Sequence, residues 1–466
     1  MNMLIKKTVL IVLSIIMALP VCAQIKHGLR DENGRHVIAR GFVVNTNDGK
    51  HDLSFNLDDY VRMVRLGANF QVVRLELGKV STFLGCRLEP EYLNKLDSLV
   101  RLGRHAGMKT VFKMTTYGVK GFSWEAFWRN EHNEQEIYAA AWQVLWRRYQ
   151  GESYVFGYDL VNEPRKLTMD ISYDDLTDSY LIPLYRKLID EHNKIDDTKM
   201  CLCQSLFQNK GDKTHENQYT EIKTPIARKN ILFAPHIYQE KLAWINPTLQ
   251  RFDKESDLLK APIFIGEWGF PTFDVTDATI LGRLGQLHYQ EFYIHTAEAF
   301  DRMGVGSIKA WFLGSRTKQH FLSGGPSTWA IFSDHKSVGT MERKYITDII
   351  ARPYPQAIAG DIQSFLFNHA TRSLDIEFKS DNSKGPSRIF VGANRHYPDG
   401  FSIQCNESFV LVHNPLKTIG LEVTKSDKHS NPADFIWDSS RQQLIVLKWP
   451  LDQADMHVRI TPGITD

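Results

Sequence analysis

Gly157-Tyr158-Asp159-Leu160-Val161-Asn162-Glu163-Pro164 is the stretch that decides the fold. With Tyr154-Val155-Phe156 ahead of it, it has the aromatic and β-branched residues of a buried strand. Pro164 has no N–H to give a ladder, so the strand stops there and leaves Asn162 and Glu163 at its carboxyl end. A second stretch repeats the form. Ala261-Pro262-Ile263-Phe264-Ile265-Gly266 is a short apolar strand that ends in Glu267-Trp268-Gly269. Two carboxylates at strand ends of one rigid scaffold are suited to proton transfer, and the commonest use of such a pair is glycoside hydrolysis.

Working outward, the pattern alternates strand and helix between residues 36 and 312. Candidate strands are His36–Phe42, Phe70–Leu77, Lys109–Thr115, Tyr154–Val161, Lys199–Ser205, Asn230–Tyr238, Pro262–Gly266 and Ser307–Phe312. Helical spacing of apolar residues marks Tyr92–His105, Glu136–Tyr149, Asp174–Asn193 and Leu284–Met303. This predicts an α/β fold, a (β/α)8 TIM barrel, whose sites lie at the carboxyl ends of the strands. Trp142 and Trp146, four residues apart, read as helix core.

Several other residues fall at strand ends. Arg74 sits inside Val72-Val73-Arg74-Leu75-Glu76, where a charge is costly unless paired. It reads either as a cation that keeps a carboxylate ionised or as a structural partner of Glu76. His236 and Tyr238, two apart, share a face of the sixth strand. Either could bond a carboxylate or a sugar hydroxyl, or be a satisfied core group. Trp311 closes the eighth strand, as a flat floor for a sugar ring or as barrel packing.

The chain has 466 residues, 56 basic and 54 acidic, for a formal charge of +2. That balance gives no support for a nucleic-acid partner. The 17 histidines are scattered, without a His-Glu-x-x-His or other ligand cluster, so neither a metal nor a cofactor is expected. Cys86, Cys201, Cys203 and Cys405 match no zinc spacing and suggest no particular disulfide. Lys6-Lys7, the apolar run to Leu19 and Val21-Cys22-Ala23 read as a signal peptide over residues 1–23, with secreted or periplasmic localisation. A lipid anchor at Cys22 is the lesser reading. No stretch is long enough for a transmembrane helix. The oligomeric state is not legible.

Taken in order, Arg74, Gly157 to Pro164, His236-x-Tyr238, Gly266-Glu267-Trp268-Gly269 and Trp311 resemble the signature of glycoside hydrolase family 5, in the clan of retaining barrel glycosidases. The resemblance implies Glu163 as acid/base and Glu267 as nucleophile. It implies that Asn162 bonds the 2-hydroxyl, that Arg74 and Tyr238 hold Glu267, and that Trp311 floors the subsite. The carboxyls would then lie about 5–5.5 Å apart, and the charge of Glu267 should raise the pKa of Glu163.

The tail narrows the resemblance. Arg352-Pro353-Tyr354-Pro355-Gln356-Ala357-Ile358-Ala359-Gly360, the following Tyr397-Pro398-Asp399-Gly400-Phe401, and Arg40-Gly41-Phe42 are similar to endoglycoceramidase-type members, which carry a C-terminal β-sandwich. The expected division is a catalytic barrel over 24–360 and a sandwich over 361–466. Its strands are expected at 365–379, 388–392, 401–405, 409–413, 420–424, 435–438, 442–447 and 456–460, with turns between them. The sandwich is expected to brace the barrel. One departure stands out. Relatives carry Asp-x-His-x-Asp at the end of the third strand, where this chain has Lys113-Met114-Thr115-Thr116-Tyr117. The sugar contacts are therefore expected to differ. The substrate implied is a β-linked glycan or glycosphingolipid, with possible peripheral contact with lipid. A β-glucanase or exo-acting β-glucosidase is the alternative, and a non-catalytic carbohydrate-binding protein the distant one. Gly121–Trp128 and Gly314–Trp329 are candidate groove-lining loops.

Overall fold

The computed structural model describes residues 25, 27–45, 54–116, 118–208, 219–238, 241–269, 280–312, 330–335, 339–407, 409–416 and 420–463. Residues 1–23, expected as a signal, Tyr117 and the loop Gly314–Trp329 lie outside the described residues.

The barrel strands are β1 (Arg40–Asn45), β2 (Phe70–Glu76), β3 (Lys109–Thr115), β4 (Val155–Asp159), β5 (Met200–Cys203), β6 (Ile231–Phe233, resuming at His236–Ile237), β7 (Phe264–Trp268) and β8 (Gly306–Lys309). All pair in parallel in sequence order, and β8 returns to pair with β1. A parallel bridge from Phe233 to Ile263 joins the first half of β6 to the chain entering β7. The interruption of β6 falls at Ala234-Pro235, where proline cannot extend the ladder.

Helices follow most strands: α1 (Leu57–Arg65), α2 (Pro90–Ala106), α3 (Glu134–Arg148), α4 (Ile182–Asn193), α5 (Ile245–Leu259), α6 (Ile280–Met303) and α7 (Lys344–Ile350). No helix lies between β5 and β6 among the described residues. Local signals set the ends. Asn56 and Asp59 form a capping box on α1. Pro90 opens α2, and left-handed Gly107 ends it. Trp142 and Trp146 stack at 6.1 Å and are fully buried, as helix core.

Register builds the site. Val43, Val72, Val111 and Gly157 are Cα partners across β1 to β4 and form an apolar tier. Two residues further along, Asn45, Arg74, Lys113 and Asp159 are partners in turn and form a polar tier above it. Strand periodicity turns both tiers to the same side. Gly157 is required where it stands, because a Cβ there would lie 2.4 Å from the Met200 carbonyl oxygen.

Two antiparallel sheets follow the barrel. Their strands are β9 (Tyr354–Ile358), β10 (Gly360–Asn368), β11 (Ser373–Ser380), β12 (Ser387–Phe390), β13 (Phe401–Cys405), β14 (Phe409–His413), β15 (Glu422–Lys425), β16 (Phe435–Asp438), β17 (Gln443–Val446) and β18 (Asp455–Pro462). The order is β10-β11-β18-β13-β14-β15 in one sheet. In the other it is β9-β12-β17-β16, with His36–Val37 on the outer edge of β9. Residues such as Phe365, Phe378, Phe401 and Trp449 fill a separate core between them.

Three expectations are corrected. The first strand, expected as one piece over His36–Phe42, is two: His36–Val37 pairs with β9, and only Arg40–Asn45 enters the barrel. The seventh barrel strand runs to Trp268, so Glu267 lies within it rather than just past it. Residues 365–379 form a hairpin of β10 and β11, not one strand, with a turn between Asn368 and Ser373. A buried ion-pair cluster lies at the junction. Arg40 Nη2 and Arg352 Nη2 both donate to buried Asp301 Oδ1, at 2.5 and 2.6 Å, and Arg352 Nε donates to Oδ2 at 2.9 Å.

Candidate active site

Glu163 follows β4, and Glu267 lies in β7. His236 stands between them at the resumption of β6. One carboxylate oxygen of each glutamate and a ring nitrogen of His236 all lie within 4.8 Å of one another. Glu163 has φ +45°, a left-handed conformation that non-glycine residues seldom adopt. Its N–H donates to Gln204 Oε1 at 3.1 Å, and Phe207 N–H donates to the Pro164 carbonyl at 2.7 Å. These bonds hold the turn from both sides.

The two carboxylates have different company. Glu267 is 4% exposed. Its Oε2 accepts from Tyr238 Oη at 2.6 Å, and its Oε1 from Lys113 Nζ at 2.9 Å. Burial pushes its carboxyl up, but the charges of Lys113, His236 and Arg74 and the Tyr238 hydrogen bond outweigh burial and hold it well below the usual carboxylate range. Glu163 accepts from Tyr219 Oη at 2.8 Å and bonds His236 Nδ1 at 3.1 Å, both through Oε1. Arg165 lies 3.5 Å from its Oε2.

The expected rise in the Glu163 pKa is not found. Burial, the largest influence, and the charge of Glu267 push it up, but the hydrogen bond and charge of a protonated His236, with the Tyr219 hydrogen bond, together outweigh them, and the carboxyl sits below its ordinary value of 4.5. Asp159 behaves oppositely. Fully buried, its carboxyl is pushed up despite the nearby Lys113 and two bonds from Gln204 Nε2, at 2.9 and 2.8 Å.

The other expected site residues gather here as well. Asn162 is partly exposed, and its side-chain oxygen is buried without a hydrogen-bond partner among the described residues. The Arg74 guanidinium lies over the Trp311 ring at 4.6 Å, and Nη1 donates to Asn45 Oδ1 at 3.3 Å. It acts on Glu267 through its charge. Glu76, the other partner considered for it, lies 3.8 Å from Lys79.

Thr115 turns away from any sugar role: its hydroxyl donates to the Leu75 carbonyl at 2.6 Å. Within Gly121–Trp128 the larger aromatic residues are packed inward. Trp124, Phe127 and Trp128 are buried together, and Trp128 Nε1 donates to the Arg165 carbonyl at 2.7 Å, bracing the loop that carries Glu163.

Sequence reasoning assigned no role to Lys113, Gln204 or Tyr219. Tyr219 lies between β5 and β6 with no motif around it. Lys113 had a signal, since it stands two residues beyond Val111 on a strand interior. Glu163, His236 and Glu267 are spaced as a divalent ion's ligands would be. The Lys113 ammonium, however, already sets a positive charge against two of them, Glu267 and His236.

A barrel with paired glutamates at this rim places the protein among the barrel glycosidases. Residues 31–290, more than half of the chain, match the cellulase family, glycosyl hydrolase family 5, and residues 352–461 match the glycoside hydrolase family 5 C-terminal domain. The chain belongs to glycoside hydrolase family 5. Endo-glycoceramidase II from Rhodococcus sp. superposes with a TM-score of 0.68 at 18% identity, over 94% of this chain and 100% of that one. Sterylglucosidase 1 of Cryptococcus neoformans does so at 0.67 and 10% identity, over 95% and 97%. At these identities the likeness is one of fold. An endoglycoceramidase of Hydra vulgaris is 31% identical over 64 residues, 13% of this chain and 12% of that protein.

Proposed function

We propose that the protein is a retaining β-glycoside hydrolase in which Glu267 is the nucleophile and Glu163 the acid/base. The observation that carries this is the closeness of the two carboxylates, with oxygens within 4.8 Å. That supports the short spacing of retaining enzymes, about 5–5.5 Å between the carboxyl groups. In this reading Glu267 attacks the anomeric carbon while Glu163 gives its proton to the leaving oxygen. Glu163 then takes a proton from the water that releases the glycosyl group, and configuration is retained. Asn162 bonds the 2-hydroxyl, Tyr238 and Arg74 keep Glu267 oriented and ionised, and Trp311 carries the sugar ring.

For the substrate we infer a β-linked glycan carried on a lipid. One solved complex of the Rhodococcus protein holds ganglioside GM3, and the likeness extends over nearly the whole chain, sandwich included. Residues 24–360 are taken as the catalytic unit, its last strand β9 pairing into the following sheet, and 361–466 as a bracing sandwich. Residues 1–23 are taken as a signal for secretion or periplasmic export. No helix among the described residues is long and apolar enough to cross a membrane. The test is hydrolysis of lactosyl- and glucosyl-ceramide in detergent, beside a β-glucan and an aryl β-glucoside, with Glu267→Gln as control. Release of intact oligosaccharide from the lipid is the expected result. Cleavage of only the glucan or aryl glucoside would overturn the lipid assignment and keep the glycosidase.

A further inference from the structure

We propose that Lys113 is the positioning residue of this site: one buried ammonium orients the Glu267 carboxylate and fixes the tautomer of His236. The inference rests on the reading of Glu267 as nucleophile, but its geometry stands independently of any substrate. Lys113 is fully buried. Its Nζ lies 2.9 Å from Glu267 Oε1, 2.9 Å from His236 Nε2, 3.3 Å from the Gly266 carbonyl oxygen and 3.5 Å from Asp159 Oδ2. An ammonium has three N–H donors and no acceptor. Those donors are taken by Glu267, His236 and Gly266, and none is left for a sugar hydroxyl. Lys113 therefore acts beneath the substrate, through the two side chains above it.

The consequences follow from donor inventory. In the neutral ring, a donor at Nε2 requires that nitrogen to be the acceptor, so the ring proton sits on Nδ1. Nδ1–H then points at Glu163 Oε1, 3.1 Å away. One lysine thus sets which face of the imidazole meets the acid/base. With Tyr238 on Oε2 and Lys113 on Oε1, both nucleophile oxygens have a fixed donor. When the glycosyl-enzyme ester forms, Glu267 loses its charge while Lys113 keeps its own. In the second step the water oxygen bonds the anomeric carbon, the ester C–O pair returns to Glu267, and the water proton goes to Glu163. That step restores the ion pair, so Lys113 favours release of the sugar over its capture.

The groups that face Glu267 from the surrounding elements are Arg74 on β2, Lys113 on β3, Asp159 and Glu163 of β4 and its end, Tyr219, His236 and Tyr238 around β6, and Lys309 on β8. Of these, Lys113 is the cation with a direct bond to it. The test is Lys113→Met, which keeps the stem and removes the charge. Lys113→Met/Asp159→Asn goes beside it, so that Asp159 is not left buried without its cation, with Asp159→Asn alone as reference. Glutamate side-chain carboxyls, 13C-labelled and assigned with Glu267→Gln, are titrated by NMR without substrate. The expected result is a Glu267 titration displaced upward by about one to three pH units, as loss of an opposite charge at this range gives. The acid limb of kcat/KM on an aryl β-glucoside should move the same way, and a burst of aryl release should appear. A folded variant whose Glu267 titrates as in the parent would overturn the proposal. A displaced titration in a protein that cleaves no β-glycoside would uphold Lys113 and overturn the proposed function instead.

Discussion

Replacing Tyr219 by Phe should widen the working range of this protein toward alkaline pH. The Tyr219 hydroxyl donates to Glu163 Oε1 at 2.8 Å, and the ring makes edge contacts with Phe207 and His236 that phenylalanine keeps. The Glu163 side chain is 21% exposed, little enough for the bond to be felt. Hydrogen bonds to charged groups contribute about 1.5–3 kcal/mol, and one pKa unit is about 1.4 kcal/mol. The deletion should therefore raise the Glu163 pKa by roughly one to two units. The sign follows from the role. In the proposed mechanism capture of the sugar needs protonated Glu163, so kcat/KM is full below its pKa and falls as pH rises through it. In the parent this alkaline limb should be acidic, because the carboxyl lies below 4.5. In Tyr219→Phe it moves up.

Stability should respond in parallel. A depressed carboxyl stabilises the fold above its unfolded pKa and loses that contribution as pH falls through the folded value. The stability gap between parent and variant should thus be present at pH 7 and close on acidification. The assay is kcat/KM on an aryl β-glucoside across the acidic and neutral range, with both limbs attributed to the carboxylate pair as a unit. A folded Tyr219→Phe protein whose alkaline limb stays in place, or moves to lower pH, would refute the reasoning.

Other outcomes follow from the same geometry. Glu163→Gln should lose roughly 10²- to 10⁴-fold on natural glycosides. It should lose far less on dinitrophenyl glycosides, whose leaving group needs no proton, whereas Glu267→Gln should be inactive on both. Asn162→Ala should lower kcat/KM by roughly 10²- to 10³-fold, mainly in kcat, if it bonds the 2-hydroxyl as proposed, because such bonds tighten at the transition state; an effect confined to KM would count against it. Asp301→Ala strips the shared partner from buried Arg40 and Arg352. It should cost about 3–5 kcal/mol in denaturant unfolding, and an unchanged midpoint would show that the junction is held by other contacts.

Much of the site was legible because strand ends leave a strong trace. Pro164 after Asn162-Glu163 and Gly266 before Glu267 mark the ends of apolar runs, and the structure brings both glutamates together there. The first strand was misread because His36-Val37 and Arg40 to Asn45 form one apolar stretch, although they serve two different sheets. Only tertiary pairing separates them. Tyr219 was invisible for a similar reason: its partner Glu163 is distant in sequence, and its own neighbours have no period. Lys113 differs. Arg74 was singled out as a charge in an apolar strand, and the same test applies to Lys113 between Phe112 and Met114. What hid it was comparison with a pattern that has an acid there, which drew notice to the side chains missing at Thr115 and Tyr117 instead of the one present.

That substitution changes how the two glutamates are told apart. Two like carboxylates this close cannot share one environment and do different work. Here the separation comes from the charge at Glu267, not from a raised Glu163. Lys113 and Tyr238 each hold one Glu267 oxygen, and Arg74 adds its field. Glu163 has Tyr219 and His236 Nδ1 as its hydrogen-bond partners, and Arg165, partly exposed, lies 3.5 Å away. Both carboxyls lie below the ordinary range, Glu267 further than Glu163. Under the proposed roles, a pair ordered this way keeps the nucleophile ionised below the range in which the acid loses its proton, so the acid sets the upper pH limit. Moving that limit requires changing the donors on Glu163, either Tyr219 directly or His236 by way of Lys113, which bonds its other ring nitrogen.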